Sequence, residues 1–351
     1  MKADRGIMRE TARGFERYYN PKLNGELRLD TNTNVMGPNP AASRYLSEGR
    51  WDLDLYPNTY SDGLRGALAE LYGLQADNLI AGNGSDEMLD VAFKTFTNWG
   101  DRCAVPVPSY TLYDYFVKLN GGTVAEVDLT EDFQLDVDAI VAQKAKISIM
   151  PSPNNPTGNC FRIKDIEEVL SRSEGVVIVD EAYAEYGEGS MIRRVEEFDN
   201  LIVLRTFSKA YAMAALRVGY AASNAKLADM MMCVKIPYSL NAVSEGAAIA
   251  AVKDQEFIRS SVESVRRERP VLAEGLRRLG FEPFPSDSNF IMARSPIDHA
   301  ELVSGLKERG ILIRDFGSKR RTENCVRTTV GTAEQNRLLL SKIEEVLSQC
   351  R

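Results

Sequence analysis

The sequence predicts an α/β protein, with a large domain whose mainly parallel sheet is sandwiched by helices and a smaller α/β domain after it. Three observations carry that expectation. A chain of 351 residues is long for one ordinary core and short for three, so two domains sharing an interface come first. Between about residues 78 and 223, short β-branched runs alternate with amphipathic or small-residue stretches. Several of these are uninterrupted apolar runs closed by Pro, Gly or Asp, the pattern of strands buried on both faces of a parallel sheet. After Met232 the pattern turns to long, charged, helical sequence and then to a second, shorter alternation.

Taken in order, residues 1–40, with Pro21, Pro38, Pro40 and many Asn, predict an arm lying on the body. The large domain, 41–240, has its strands at Leu79–Ala81, Arg102–Val107, Thr123–Val127, Ile147–Met150, Val176–Val179 and Leu201–Leu204. Between the first two lies "AGNGSDEMLDVAF". Gly82 and Gly84 permit a tight turn, Ser85 and Asp86 suit the first positions of a helix, and Met88, Leu89, Ala92, Phe93 and Phe96 form its buried stripe. The small domain, 241–351, opens with the helices "AVSEGAAIAAVKD" and "EFIRSSVESVRRERPVLAEGLRRLG", the second capped by Gly280. Strands at Asn289–Ala293, Ile311–Arg314 and Cys325–Val330 follow, with helices at "AELVSGLKERG" and "AEQNRLLLSKIEEVLSQ". There is no low-complexity segment and no internal repeat.

Composition excludes several function classes. With 44% hydrophobic and 26% charged residues, and no apolar run near the roughly 20 residues of a membrane span, the chain reads as a soluble globular protein. The opening decapeptide mixes both signs of charge and lacks the apolar stretch of a secretion signal, so the expectation is cytoplasmic. A formal charge of −7 argues against a general nucleic-acid binder. Cys103, Cys160, Cys233, Cys325 and Cys350 are scattered and odd in number, which suits a reducing compartment. The only histidine, His299 in "SPIDHAEL", is expected to be a solvated residue at a helix start, so no metal site is expected and acid–base chemistry must use other groups.

Parallel sheets bind ligands beyond the carboxyl ends of their strands. Three strands run out as "ISIM-PSPNNPTG", "VVIVD-EAY" and "LIVLR-TFSK", which sets Asn155, Asp180 and Lys209 along one rim. The helix start at Ser85 and Asp86 is a ready phosphate site, although an ordinary capped helix has the same sequence. Asp180 suits either a cap on the adjoining turn or a partner for a protonated ring nitrogen, with the Tyr183 hydroxyl three residues on. Lys209 is a surface lysine or a nucleophile toward aldehydes, and only the second reading uses Thr206, Ser208 and Arg217, which together fit one anion. A phosphate loop, a ring-nitrogen aspartate and a nucleophilic lysine describe a pyridoxal 5'-phosphate site.

Through "GNGSDE", "PSYTLYDYF", "SPNNPTG", "VVIVDEAYAEY", "RTFSKAYAMAALRVGY" and "VRTTVGT", in matching order over nearly the whole chain, the sequence resembles the fold-type I, class I/II aminotransferases. The forms "SPNNPTG", "VLRTFSKAY" and "VGT" are most like the histidinol-phosphate aminotransferase subgroup. The resemblance implies that Lys209 forms the internal aldimine, Asp180 pairs with the pyridine nitrogen and Asn155 and Tyr183 contact the ring's phenolic oxygen. It implies that Tyr110 stacks on the ring, and that Gly84, Ser85, Asp86, Thr206, Ser208 and Arg217 surround the phosphate. Tyr56 would reach the phosphate of the neighbouring subunit, making a homodimer with shared sites. Arg327, with Arg314 as a second candidate, would hold the anionic group of the substrate.

The implied reaction is a ping-pong amino transfer from a small amino donor to a 2-oxo acid, with Lys209, Asp180 and Tyr183 as its catalytic residues. An aromatic or broad-range aminotransferase and a threonine-phosphate decarboxylase-like enzyme are the alternatives. Two departures stand out. Ala215 replaces the family's usual glycine, adding a methyl near the cofactor loop, and Thr33-Asn34-Val35 replaces E-N-P on the substrate side.

Overall fold

The computed structural model describes residues 6–16, 27–49 and 51–349; Pro21 and Cys350 lie outside them. Strand β1 (Leu27–Arg28) belongs to the arm. Strands β2 (Leu79–Gly82), β3 (Arg102–Val107), β4 (Thr123–Asp128), β5 (Ile147–Pro151), β6 (Val176–Asp180), β7 (Leu201–Thr206) and β8 (Gly219–Ser223) form one sheet in the order β2-β8-β7-β6-β5-β3-β4. The β7-β6, β6-β5, β5-β3 and β3-β4 pairs are parallel, and β8 alone runs against both its neighbours, β2 and β7.

Strand β8 has no counterpart among the expected strands. Its sequence, Gly-Tyr-Ala-Ala-Ser, has little β propensity, and close packing explains it instead. A Cβ on Gly219 would lie 2.2 Å from the Ser85 backbone nitrogen, so only glycine lets β8 come this close to the turn that opens the first long helix of the sheet.

Side chains alternate across each strand, and the alternation sorts them into two cores. Val177, Val179, Leu201 and Val203 face one side, with Ile166, Val169 and Leu170. Val176, Ile178, Ile202 and Leu204 face the other, with Met88, Leu89, Phe93, Tyr113 and Phe116. Carried one step further, the same period turns Asp180 and Thr206 toward the second face and Arg205 toward the first. The helices on these faces are α1 (Pro40–Glu48), α2 (Asp62–Tyr72), α3 (Ser85–Phe96), α4 (Leu112–Leu119), α5 (Val137–Ala142), α6 (Ile163–Arg172), α7 (Ala225–Val234) and α8 (Ala242–Lys253). Helix α8, which opens the expected C-terminal domain, packs on α1 and α2.

The long helix α9 (Gln255–Arg278) leads to a second sheet. Strands β9 (Glu282–Pro283) and β10 (Phe290–Arg294) precede helix α10 (His299–Glu308); β11 (Ile311–Leu312), β12 (Arg314–Asp315), β13 (Cys325–Thr329) and helix α11 (Ala333–Gln349) follow it. The order is β12-β13-β10-β9, all antiparallel, while β11 pairs in parallel with β1 of the arm. One strand was expected over Ile311–Arg314. It divides because Ile311 and Leu312 bond the arm while Arg314 and Asp315 bond β13. Leu279 caps α9, and Gly280 follows it with φ +88°. His299 is not a solvated residue: its Nδ1 lies 2.8 Å from Asp315 Oδ1, and its side chain is largely buried against Gly317. Among the described residues no helix is long and apolar enough to cross a membrane, and no group of His, Cys, Asp and Glu is placed to hold a metal ion.

On the first face, Arg205 is buried between two carboxylates. Its Nε donates to Glu181 Oε2 and its Nη1 to Glu185 Oε1, each at 2.8 Å, and Nη2 donates to Ser190 Oγ at 2.9 Å. Glu181 Oε1 in turn accepts the Met191 N–H at 2.6 Å. Replacing Arg205 with Ala leaves two buried carboxylates without their counter-charge and is expected to destabilise the protein by about 3–5 kcal/mol. Denaturant unfolding checks this, and a loss below about 1 kcal/mol would show that the cluster does not hold the strand ends.

Candidate functional site

A cavity of about 270 Å³ opens at the carboxyl ends of β5, β6 and β7, and nearly all the residues singled out from the sequence line it. At one end lie Ser85, Asp86, Thr206, Ser208 and Arg217. The chain leaves β7 in a tight turn: the Thr206 hydroxyl accepts the Ser208 N–H at 3.1 Å, and the Phe207 N–H bonds Val218 across to β8. Arg217, in the left-handed region at φ +55°, sends Nη1 to Ser208 Oγ at 3.3 Å and Nη2 to Asp86 Oδ2 at 3.4 Å. Burial pushes the Asp86 carboxyl up, against the pull of Arg217 and Lys209.

Gly84 does not line the cavity but shapes it. It caps α3 at φ +91°, and a Cβ there would lie 2.9 Å from Arg217 Nη2. With Gly219 tighter still against Ser85, the two glycines leave a cradle of backbone N–H groups, hydroxyls and one guanidinium at a helix N-terminus, a donor set that suits a phosphate.

The middle of the cavity holds Tyr110, Asn155, Asp180, Tyr183 and Lys209. The Lys209 amine donates to the Thr31 carbonyl at 2.9 Å and sits 5.3 Å over the Tyr183 ring. Asp180 Oδ2 accepts the Tyr113 hydroxyl at 2.7 Å and Oδ1 the Ala182 N–H at 3.1 Å. Burial outweighs both bonds and pushes the Asp180 carboxyl up to about 6. A cationic ring nitrogen is the partner that would return it to the charged form. The Tyr110 ring meets Tyr113 edge-on, with centroids 5.5 Å apart.

At the other end, Arg314 and Arg327 stand directly opposite each other on β12 and β13. Arg327 Nη2 donates to the Asp30 carbonyl at 2.8 Å and Nη1 bonds Asn155 Oδ1; the guanidinium lies over the rings of Phe290 and Phe316.

Tyr56 is outside the cavity. It is 84% exposed, with its ring 5.0 Å from that of Tyr238. Ala215 is exposed and does not line the cavity, so its extra methyl does not crowd the cofactor end. Asn34 lies behind the site and ties the arm to the body through the Ala210 carbonyl at 3.0 Å and Ser261 Oγ at 2.7 Å. Sequence reasoning missed Tyr113, Asn32 and Lys319. Tyr113 carried one readable signal, its place one helical turn after Tyr110 in "YTLY".

The chain resembles known proteins along most of its length. The family model "Aminotransferase class I and II" matches residues 25–343. A histidinol-phosphate aminotransferase of Trichormus variabilis is 34% identical over 330 residues, covering 93% of this chain and 94% of its own. The histidinol-phosphate aminotransferase of Sinorhizobium meliloti, solved with pyridoxal-5'-phosphate, superposes with a TM-score of 0.86 at 24% identity, over 93% of this chain and 92% of that one. An L-threonine-O-3-phosphate decarboxylase of Porphyromonas gingivalis superposes with a TM-score of 0.82 at 24% identity, over 92% and 99%. These two solved structures share the fold, and the fold does not separate the two chemistries.

The raised Asp180 carboxyl has a consequence for the cofactor-free protein. Between its ordinary 3.8 and about 6 the folded state binds a proton that the unfolded chain has released. The stability this adds is fully present below pH 3.8 and is lost as pH rises through about 6, a change of about 3 kcal/mol. Asp180→Asn cannot ionise, so its stability relative to wild type should rise by that order between pH 4 and 7 in urea unfolding. Parallel profiles would refute the assignment.

Proposed function

The chain belongs to the class I and II aminotransferases, and from that footing we propose that it moves an amino group from histidinol phosphate to 2-oxoglutarate. Pyridoxal 5'-phosphate is the cofactor, and when bound it supplies an aldehyde for the amine and a ring that withdraws electrons from the neighbouring carbon. Ser85, Asp86, Thr206, Ser208 and Arg217 would hold its phosphate in the space that Gly84 leaves. Tyr110 would stack on the ring, Asn155 and Tyr183 would meet the phenolic oxygen, and Asp180 would keep the proton on the ring nitrogen. Lys209 would bind the aldehyde carbon, yield that place to the substrate amine, and then carry the proton from the carbon bearing the amine.

One observation carries the choice of donor. Arg314 and Arg327 face each other across β12 and β13, and Lys319 lines the cavity beside them over Phe316. Burial first, then repulsion from Arg314 and Arg327, pushes the Lys319 ammonium down. Like charges directly opposite on a sheet repel, and three of them in one cavity call for an anion with more than one charge. A phosphate monoester meets that demand better than a carboxylate.

The same reading takes the enzyme as a homodimer. Leu53, Leu55, Tyr56 and Ile236 are all exposed apolar residues, and Tyr56 would complete the phosphate site of the second subunit. It divides the chain into an arm, 1–40, a large domain, 41–240, and a small domain, 241–351. The cytoplasm is the proposed compartment, in keeping with Cys103, Cys160, Cys233 and Cys325 all being free thiols.

The test adds histidinol phosphate, phenylalanine, tyrosine or threonine phosphate separately to the cofactor-loaded enzyme and follows conversion of the cofactor to its amine form. Histidinol phosphate should convert it. Success only with an aromatic acid, or carbon dioxide released from threonine phosphate without 2-oxoglutarate, would overturn the proposed donor. Lys209→Ala should lower turnover by at least about a thousandfold. Arg327→Ala should lower kcat/KM for the phosphorylated donor by about a hundredfold, the loss of charge-assisted hydrogen bonds.

A further inference from the structure

Asn32 is an arm residue, 1% exposed, that touches three parts of the molecule. Its backbone is in the left-handed region, φ +54°, which asparagine adopts more readily than other side chains that carry a Cβ. Its N–H donates to Thr329 Oγ1 at 3.1 Å, and its carbonyl accepts the Asn289 amide at 3.1 Å. The backbone is thus pinned on both sides by β13 and the loop before β10, and the side-chain Oδ1 accepts from the Thr329 hydroxyl at 3.4 Å, which turns Nδ2 the other way. There its Nδ2 donates to the Tyr183 hydroxyl at 3.1 Å.

That bond has a direction. An amide nitrogen only donates, so the Tyr183 oxygen is the acceptor, and the single phenolic proton is left for an acceptor elsewhere. The Tyr183 ring lines the cavity beneath the Lys209 amine. We propose that Asn32 is a positioning residue: by occupying the Tyr183 oxygen it aims the Tyr183 proton into the cavity, at the phenolic oxygen of the bound cofactor. This rests on the cofactor reading above. A donor held at that oxygen favours its ionised form, and so eases loss of the proton shared with the Lys209 nitrogen. Asn32 itself lines the cavity beside Tyr183, and through that hydroxyl the arm governs the pH at which the loaded enzyme is ready to accept an amine.

The experiment reads the visible absorption of the pyridoxal 5'-phosphate-loaded enzyme against pH. Asn32→Gly keeps the left-handed backbone and both backbone bonds and removes the amide's two contacts, to the Tyr183 and Thr329 hydroxyls, of which only the first can reach the cofactor through Tyr183. Its spectral midpoint should rise by roughly half a pH unit, the size of one hydrogen bond. Tyr183→Phe should raise the midpoint at least as far, and Asn32→Gly should add nothing in the Tyr183→Phe background. Asn32→Ser, which lacks the amide and adds no charge, gives the same comparison should the glycine variant fail to fold. An unchanged midpoint in the single variants, or a shift that survives undiminished without the Tyr183 hydroxyl, overturns the role of Asn32. A wild-type protein that develops no visible band with pyridoxal 5'-phosphate would instead sink the cofactor reading.

Discussion

Burial of the Arg205 guanidinium against Glu181 and Glu185 is the constraint on which the rest hangs. Arg205 and Glu181 each adjoin a working residue, Thr206 on one strand and Asp180 on the next. Alternation along a strand sends neighbours to opposite faces, so an ion cluster on one face sets the position of the site on the other. Parallel strands β6 and β7 are in register from Val177 with Leu201 to Asp180 with Leu204. A charge cluster at the end of that ladder resists fraying where the sheet stops and the loops begin. An apolar cluster would fill the same space but tolerate sliding, whereas charged hydrogen bonds fix both distance and angle.

What the sequence made legible follows the same division between local and distant causes. Val176–Asp180 and Leu201–Thr206 were readable because burial on both faces leaves an unbroken apolar run, and the residues that end each run were the chemical ones. β8 was not, because Gly219 answers to the Gly84–Ser85 turn, more than 130 residues away along the chain, and not to strand propensity. Tyr113 and Asn32 were missed for a similar reason. Their partners Asp180 and Tyr183 lie 67 and 151 residues distant, and nothing in either residue's own neighbourhood announces the bond. His299 was misread because a polar residue at a helix start looks solvated until Asp315 is folded against it.

The cavity is electrostatically at odds with the chain around it. The protein carries a formal charge of −7, yet Lys209, Arg217, Arg314, Lys319 and Arg327 converge on a space whose nearest carboxylates are Asp30, Asp86 and Asp180. A cationic cleft in an acidic body focuses the field where small anions must enter and repels them elsewhere, which raises encounter rates most at low salt. Both ends of the cavity exploit this in the same way, one through a helix start and a guanidinium, the other through cations on adjacent strands. Specificity between them then rests on shape: Gly84 leaves room at one end, and the Phe316 ring lines the other.

The arm segment Asp30–Asn34 bonds Lys209 through Thr31, Tyr183 through Asn32, Ala210 through Asn34 and β13 through Asn32. It is stitched to both sheets at the cavity. A polypeptide begun at Pro40 would keep all seven strands of the large sheet and, but for Leu29, the buried residues of both hydrophobic cores. It would also be missing a wall of its own reaction chamber. For this fold, the sheet and the site have separate sources, divided by five residues that belong to neither sheet.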